Sequence, residues 1–367
     1  MKIQSIKVYK IDIPLKEGSY KWAHDNYVEK FDTSIVVIET NTNILGLGEV
    51  CTLGSSYLPA YSKGVRSGVL EIGEILIGKD PTDIASINLE MEKKLKGHPY
   101  VKSPIDMACW DILGKHYKLP LWKLLGGKFG EKIDLYRAIS QEDADTMRLN
   151  VRKYKEEGYT KFQLKVGGEY NEDIDRIKSV SSELDSSNIL VADANTGWKS
   201  HEALKVINKT DNLDIYFEQP CETYHDCLQI RKKTKNPFIL DESIDSINNF
   251  LNAYHDGAMD IINLKISKLG GIFKSKQLRD LCVELKIPMT IEDSWGGDIV
   301  TAAISHLAHS TPVKFRFSST DFNSYNSLSY SKGSPKRVDG KMIASDNFGL
   351  GVELDFSKLG EPEFVIN

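Results

Sequence analysis

The sequence predicts an α/β protein: a modified (β/α)8 barrel, with seven helices plus an eighth strand, carrying an N-terminal α+β capping domain. The first observation behind this is a repeat. Short apolar runs begin at Leu135, Lys161, Leu190, Ile215, Pro237, Ile261, Pro288 and Lys314, about one every 26 residues. The second is what lies between them, stretches with helical spacing such as 173–184 and 274–285. The third is a different order before the repeat, strands first and helices after.

In that leading part, Ile3, Ile6 and Val8 alternate like a strand. Residues 34–40 and 44–50 read as two more, joined by a turn at Asn41-Thr42-Asn43. Helical patterns follow at 60–77, 84–96 and 103–117, with Gly78-Lys79-Asp80 as a break and Pro81 opening the second. These boundaries give a capping domain over 1–125 and a barrel with the reactive site over 126–335. No clear eighth helix begins after the last strand, so 336–367 is expected to return to the capping domain. An open doubly wound sheet usually carries a Gly-rich first turn. Gly46-Leu47-Gly48 lacks the third glycine and lies outside the repeat, so no nucleotide fingerprint is read there.

Composition narrows the partners. The 367 residues are 41% hydrophobic, and 47 Lys+Arg stand against 52 Asp+Glu, a formal charge of -5 that argues against nucleic acid. The run Arg231-Lys232-Lys233-Thr234-Lys235 reads as a solvated helix end. No apolar stretch approaches the ~18 residues of a membrane span, and the alternating N-terminus lacks a signal peptide's apolar core. Five scattered cysteines without a CxxC suit reduced thiols in a cytoplasmic protein. The expected partner is a small molecule.

In such a barrel, chemistry sits at the C-terminal ends of the strands. Three successive strands end in acids one repeat apart: Asp193 in Leu190-Val191-Ala192-Asp193, Glu218 in Tyr216-Phe217-Glu218, and Asp241 in Phe238-Ile239-Leu240-Asp241. Alternation turns Val191, Asp193 and Asn195 inward, with Tyr216 and Glu218, and prefers Ile239 and Asp241 over Glu242. Carboxylates converging at one mouth repel unless a cation lies among them. Oxygen ligands with no His or Cys nearby select Mg²⁺, with Mn²⁺ as the substitute. The bland alternative is that each acid caps the following helix, and three in successive repeats weigh against it. Alternation also turns Lys161, Gln163 and Lys165 inward on strand 2 and Lys265 inward on strand 6. Those strands are opposite in a ring of eight, so Lys165 and Lys265 read as acid and base for the two faces of one carbon.

On these residues the chain resembles the enolase superfamily, in its mandelate-racemase and muconate-lactonizing branch. The resemblance covers essentially the whole sequence. It implies a capping domain closing the barrel, an Mg²⁺ on Asp193, Glu218 and Asp241, and bases at Lys165 and Lys265, a use of Lys with Mg²⁺ known for this superfamily. Two departures matter. The usual Lys-x-Lys of strand 2 is Gln163-Leu164-Lys165 here, so desolvation and the metal must keep Lys165 competent. Strand 7, Thr290-Ile291-Glu292-Asp293-Ser294, has no His, which excludes the subgroup with a His–Asp base.

The Gln163-Leu164-Lys165-Val166-Gly167-Gly168 run and the strand-7 run through Trp295-Gly296-Gly297 resemble relatives acting on proline derivatives, dehydratases of cis-3-hydroxy-L-proline and proline-betaine epimerases. The segments 102–111 and 319–325 point to the dehydratases. The resemblance then implies lid loops near 17–27 and 51–59, with Trp22 and Tyr57 as lid residues. It further implies Trp295 as an apolar or cation–π wall, Asp321 as the carboxylate for an unmethylated ring ammonium, and Gln163 and Asn195 as supporting residues. A homo-oligomer is expected from the family alone. Open alternatives are racemisation or 2-epimerisation of a proline derivative by the same lysines, and a catalytically silent barrel. Which lysine removes the α-proton stays open.

Overall fold

Each of the eight apolar runs forms a strand, Tyr136–Ile139, Lys161–Lys165, Ile189–Asp193, Tyr216–Glu218, Phe238–Leu240, Ile261–Lys265, Met289–Glu292 and Arg316–Ser319. In this computed structural model, which describes residues 1–367, they pair in parallel and in sequence order around a nearly closed barrel. Seven helices cover the outside, Ala144–Glu156, Tyr170–Ser181, Ser200–Lys209, Tyr224–Arg231, Ile247–His255, Ile272–Leu285 and Asp298–His309. A short turn, Phe322–Ser324, replaces an eighth. The alternation of each strand decides its contacts. Phe162, Leu164, Ala192 and Phe217 join the large core under the helices. Val191, Ile239 and Ile261 form a separate cluster with Tyr216 and Phe317, filling the barrel axis beneath the strand ends.

Strand register sets the site. Lys165 is the Cα partner of Asp193, and Asp193 is the partner of Glu218, so the three stand in one row across adjacent strands. Lys265 and Glu292 form the corresponding pair on strands 6 and 7.

The N-terminal sheet pairs Ile3–Pro14, Lys30–Thr40 and Leu45–Cys51 antiparallel, and the C-terminal Phe364–Ile366 adds an edge strand against the first of them. Gly46 and Gly48 serve close packing. A Cβ at Gly48 would lie 1.8 Å from the Pro104 carbonyl oxygen, and one at Gly46 2.3 Å from that of Ala108. The helix they press against runs Pro99–Tyr117, with Pro99 in its first turn and Pro104 inside it. The helix begins four residues before the start expected from the sequence, with Pro99 in the first turn, where a missing N–H costs nothing.

Two contacts tie cap to barrel near the site. Buried Glu49 accepts hydrogen bonds from the backbone N–H groups of Gly297 and Val300, both at 2.9 Å, at the start of the helix Asp298–His309. This satisfies donors that a helix N-terminus leaves free. Cys51 bridges to Trp295. The expected lid loop near 17–27 contains a hairpin, Tyr20–Trp22 with Asn26–Val28, whose turn residues His24 and Asp25 have φ of 61° and 56°. Its turn lacks the Asn-Gly or Asp-Gly signal that would have marked it in the sequence.

Candidate active site

Asp193, Glu218 and Asp241 are all buried at the strand ends. Glu218 is the most enclosed by amides. Gln163 donates to its two oxygens at 3.1 and 3.2 Å, and Asn263 donates to Oε1 at 2.6 Å. Burial, then the charges of Asp193 and Asp241, pushes Glu218 well above the usual carboxylate range. Asp193 accepts from the Asn195 backbone N–H at 2.9 Å and is ion-paired to Lys165. Asp241 receives Lys265 at 2.6 Å and the Tyr57 hydroxyl at 2.8 Å on Oδ2, and Lys268 at 2.8 Å on Oδ1. Burial alone would raise Asp241, but Lys265 and Lys268 hold it below the carboxylate range. Burial would likewise lower Lys165 and Lys265, and Asp193 and Asp241 respectively hold them above the usual ammonium range.

The mouth is rich in negative charge. Asp193, Glu218, Asp241, Glu292 and Asp293 are buried and Glu242 is half-buried, against the buried ammonium groups of Lys165, Lys265 and Lys268. Removal from water, then Asp241 and Asp193, pushes Glu242 up to about 8. As they stand, no three acids share one ligating position: Lys165 pairs with Asp193, Lys265 and Lys268 pair with Asp241, and amides hold Glu218. The donor chemistry nonetheless suits a divalent cation: oxygens alone, from separate rigid strands, with more negative charge than the lysines neutralise.

Lys165 and Lys265 both line a cavity of about 20 Å³ beneath the hairpin, together with Gln163, Asn195, Tyr57 and Trp295. That volume holds about one water, so a ring-sized ligand requires the lid side chains to move. Tyr57 divides it from a wider cleft of about 370 Å³ that reaches Glu242 and Lys268. A larger concavity, about 830 Å³, lies outside the hairpin and contains none of the strand-end acids.

Most expected positions therefore converge. Trp295 forms a wall, stacked on Phe31 at 4.4 Å and packed against Phe322 at 4.8 Å. Asn195 donates to Glu242 at 3.1 Å. Trp22 lines the cavity from the hairpin. Asp321 lies apart from these residues. It is buried against Tyr159 and in the field of Arg137 and Arg337, outside the lining of this cavity. The reason is local: the chain turns after the eighth strand, and Phe322 rather than Asp321 takes the inward position.

Four residues escaped sequence reasoning. Asn263 and Glu292 satisfy the same inward alternation that found Lys265, so the signal was present. Glu242 was set aside for Asp241 as the inward acid. Lys268 follows its strand in the short helical turn Ile266–Leu269, where alternation no longer applies.

An eight-stranded barrel with a capping domain, strand-end carboxylates and opposed lysines defines an enzyme class, the enolase superfamily. The chain belongs to its mandelate racemase / muconate lactonizing enzyme family: residues 23–126 match the N-terminal domain of that family and 146–358 the enolase C-terminal domain-like model. It is 55% identical over 362 residues, 99% of each chain, to the cis-3-hydroxy-L-proline dehydratase of Roseibium aggregatum. It is 28% identical over 321 residues, 85% of each chain, to the N-succinyl-L-Arg/Lys racemase of Bacillus cereus. Among solved structures, a mandelate racemase/muconate lactonizing enzyme from Roseovarius nubinhibens superposes with a TM-score of 0.96 at 38% identity, over 100% of this chain and 98% of that one. A putative relative from the same organism, complexed with magnesium, superposes at 0.97 with 28% identity over the whole of both chains.

Proposed function

We propose that the protein dehydrates cis-3-hydroxy-L-proline to Δ1-pyrroline-2-carboxylate, beginning with removal of the α-proton. The observation that carries this is the meeting of Lys165 and Lys265 in one cavity from opposite strands. In this substrate the hydroxyl lies on the ring face opposite the α-hydrogen. Loss of both is an anti elimination, which needs a base on one face and an acid on the other. One lysine takes the α-proton. The other protonates the departing hydroxyl, water leaves, and the resulting enamine tautomerises to the imine. The 55% identity to a dehydratase of that name supports the same reading.

Asp193, Glu218 and Asp241 are the residues that would hold Mg²⁺. When bound, the metal supplies positive charge for the enediolate that α-proton removal from a carboxylate creates. The chain's own part is positional. Gln163 and Asn263 orient Glu218, Asn195 orients Asp193, and Lys268 fixes Asp241 from the side away from Lys265. A lysine acting as base must first leave its carboxylate partner. General acid–base catalysis typically supplies ~10²–10⁴-fold, under ~6 kcal/mol at ~1.4 kcal/mol per tenfold. Whole-enzyme accelerations need ~8–23 kcal/mol, so electrostatic stabilisation in the closed, water-poor cavity carries the larger share.

With no leaving group, the same lysine pair returns a proton to the opposite face and racemises or epimerises its substrate. The racemase relative supports this as the second reading. Residence in the cytoplasm, supported by five free buried cysteines, and a homo-oligomeric state belong to the same proposal. No helix is long and apolar enough to cross a membrane. The test is a proton-NMR screen of proline, hydroxyproline and betaine substrates in deuterated buffer with Mg²⁺. Loss of the cis-3-hydroxy-L-proline signals with appearance of the imine is expected; inertness of every substrate defeats the proposal.

A further inference from the structure

Two carboxylates line the cavity between the lysines, Glu292 and Asp293. Asp293 is fully engaged, accepting from the backbone N–H groups of Ser267 and Ser294 and from the Ser267 hydroxyl. Glu292 is not. It ends the seventh barrel strand and is 2% exposed. Its Oε2 accepts from the Tyr136 hydroxyl, while Oε1 has no hydrogen bond. The nearest cation to Oε1 is Lys265, at 3.6 Å. A buried carboxylate oxygen without a donor is costly, and here it borders the space a ligand would enter.

We propose that Glu292 Oε1 receives the ring ammonium of the substrate, making strand 7 the determinant of preference for an unmethylated ring nitrogen. This rests on the proline-derivative reading above. The chemistry fits in two ways. A secondary ammonium carries two N–H donors and forms a charge-assisted hydrogen bond with a carboxylate, whereas a dimethylated nitrogen donates none. In a proline ring the nitrogen is also bonded directly to the α-carbon. The group that holds it must therefore lie beside the group that works on that carbon, and Glu292 is the strand-register partner of Lys265. Asp321 also has a buried oxygen without a hydrogen bond, Oδ2, but it lies among Tyr159, Arg137 and Arg337, outside the cavity lining, and is not paired in register with Lys265.

The experiment is calorimetric titration of the full-length, Mg²⁺-loaded protein with two rings, L-proline and (S)-tetrahydrofuran-2-carboxylate, in which oxygen replaces the ring N–H. Glu292→Gln keeps the side-chain shape and removes the charge. It is expected to weaken proline roughly 10- to 100-fold, the worth of a hydrogen bond to a charged group, and to leave the oxygen ring within about twofold. Glu292→Asp, which keeps the charge but withdraws it, retains part of the preference, and Asp321→Asn retains all of it. Equal weakening of both rings in Glu292→Gln and Glu292→Asp, or unchanged proline affinity in Glu292→Gln, overturns the assignment alone when wild type still dehydrates cis-3-hydroxy-L-proline. Wild type that binds neither ring and leaves that substrate intact overturns the underlying reading and the assignment together.

Discussion

Lys165 and Lys265 reach the same small cavity from strands four apart in the eight-stranded ring, each ion-paired to the acid of its own side. A carbon held between them presents one face to each. Replacing either with alanine should stop anti elimination, because base and acid are both needed. The α-proton of a single enantiomer meets only one of them. Lys165→Ala and Lys265→Ala should therefore differ in deuterium exchange into L-proline, one retaining it and the other not, as read by proton NMR. Equal exchange in the two variants contradicts a division of faces.

Glu218→Gln should abolish turnover while the protein stays folded by circular dichroism. Glutamine keeps the side-chain volume, and its one oxygen can still accept from Gln163 and Asn263, but the charge between Asp193 and Asp241 is lost. Bound Mg²⁺ per chain should fall in parallel. Full wild-type activity after exhaustive chelation, with metal confirmed absent, defeats the metal assignment.

Gly48→Ala should destabilise the cap. The new Cβ would sit 1.8 Å from a backbone oxygen of Pro104, which cannot swing aside. Overpacking of this kind costs ~1–3 kcal/mol or more, and chemical denaturation should show at least that loss. A variant as stable as wild type would mean that strand and helix separate freely there.

His306 gives a pH signature of stability. Its ring is buried, accepting from the Trp122 backbone N–H at 3.1 Å and bonded to the Leu350 carbonyl at 3.0 Å, the pattern of a neutral imidazole. Burial, with His309 and Lys128 adding repulsion and the Leu350 carbonyl and Asp346 opposing, lowers it to about 4. Against an unfolded value near 6.5, its contribution is present at neutral pH and is lost as pH falls from about 6.5 towards 4. The stability advantage of wild type over His306→Asn should shrink by roughly 2 kcal/mol between about pH 7.5 and 4.5. An advantage independent of pH contradicts a buried neutral His306.

The barrel was legible because its signal is repeated. All eight strand starts fall within two residues of the sequence reading, and alternation correctly turned Asp193, Glu218 and Lys265 to one mouth. What escaped depends on geometry after a strand ends. Lys268 grips Asp241 from a helical turn, and Asp321 is rotated away by the turn that brings Phe322 inward, neither of which a period of two describes. The hairpin carrying Trp22 was hidden by turn residues that adopt the left-handed region without glycine. Pro104 lies inside a helix because the helix is held by burial on nearly every side.

The most direct measurement incubates wild type and Mg²⁺ with cis-3-hydroxy-L-proline and, separately, with proline betaine, following the imine with a ketone reagent and inversion by optical rotation. Rapid formation of Δ1-pyrroline-2-carboxylate, with slow or no inversion of the betaine, is the predicted result. Efficient inversion of the betaine with cis-3-hydroxy-L-proline untouched would contradict the dehydratase reading and put the epimerase in its place.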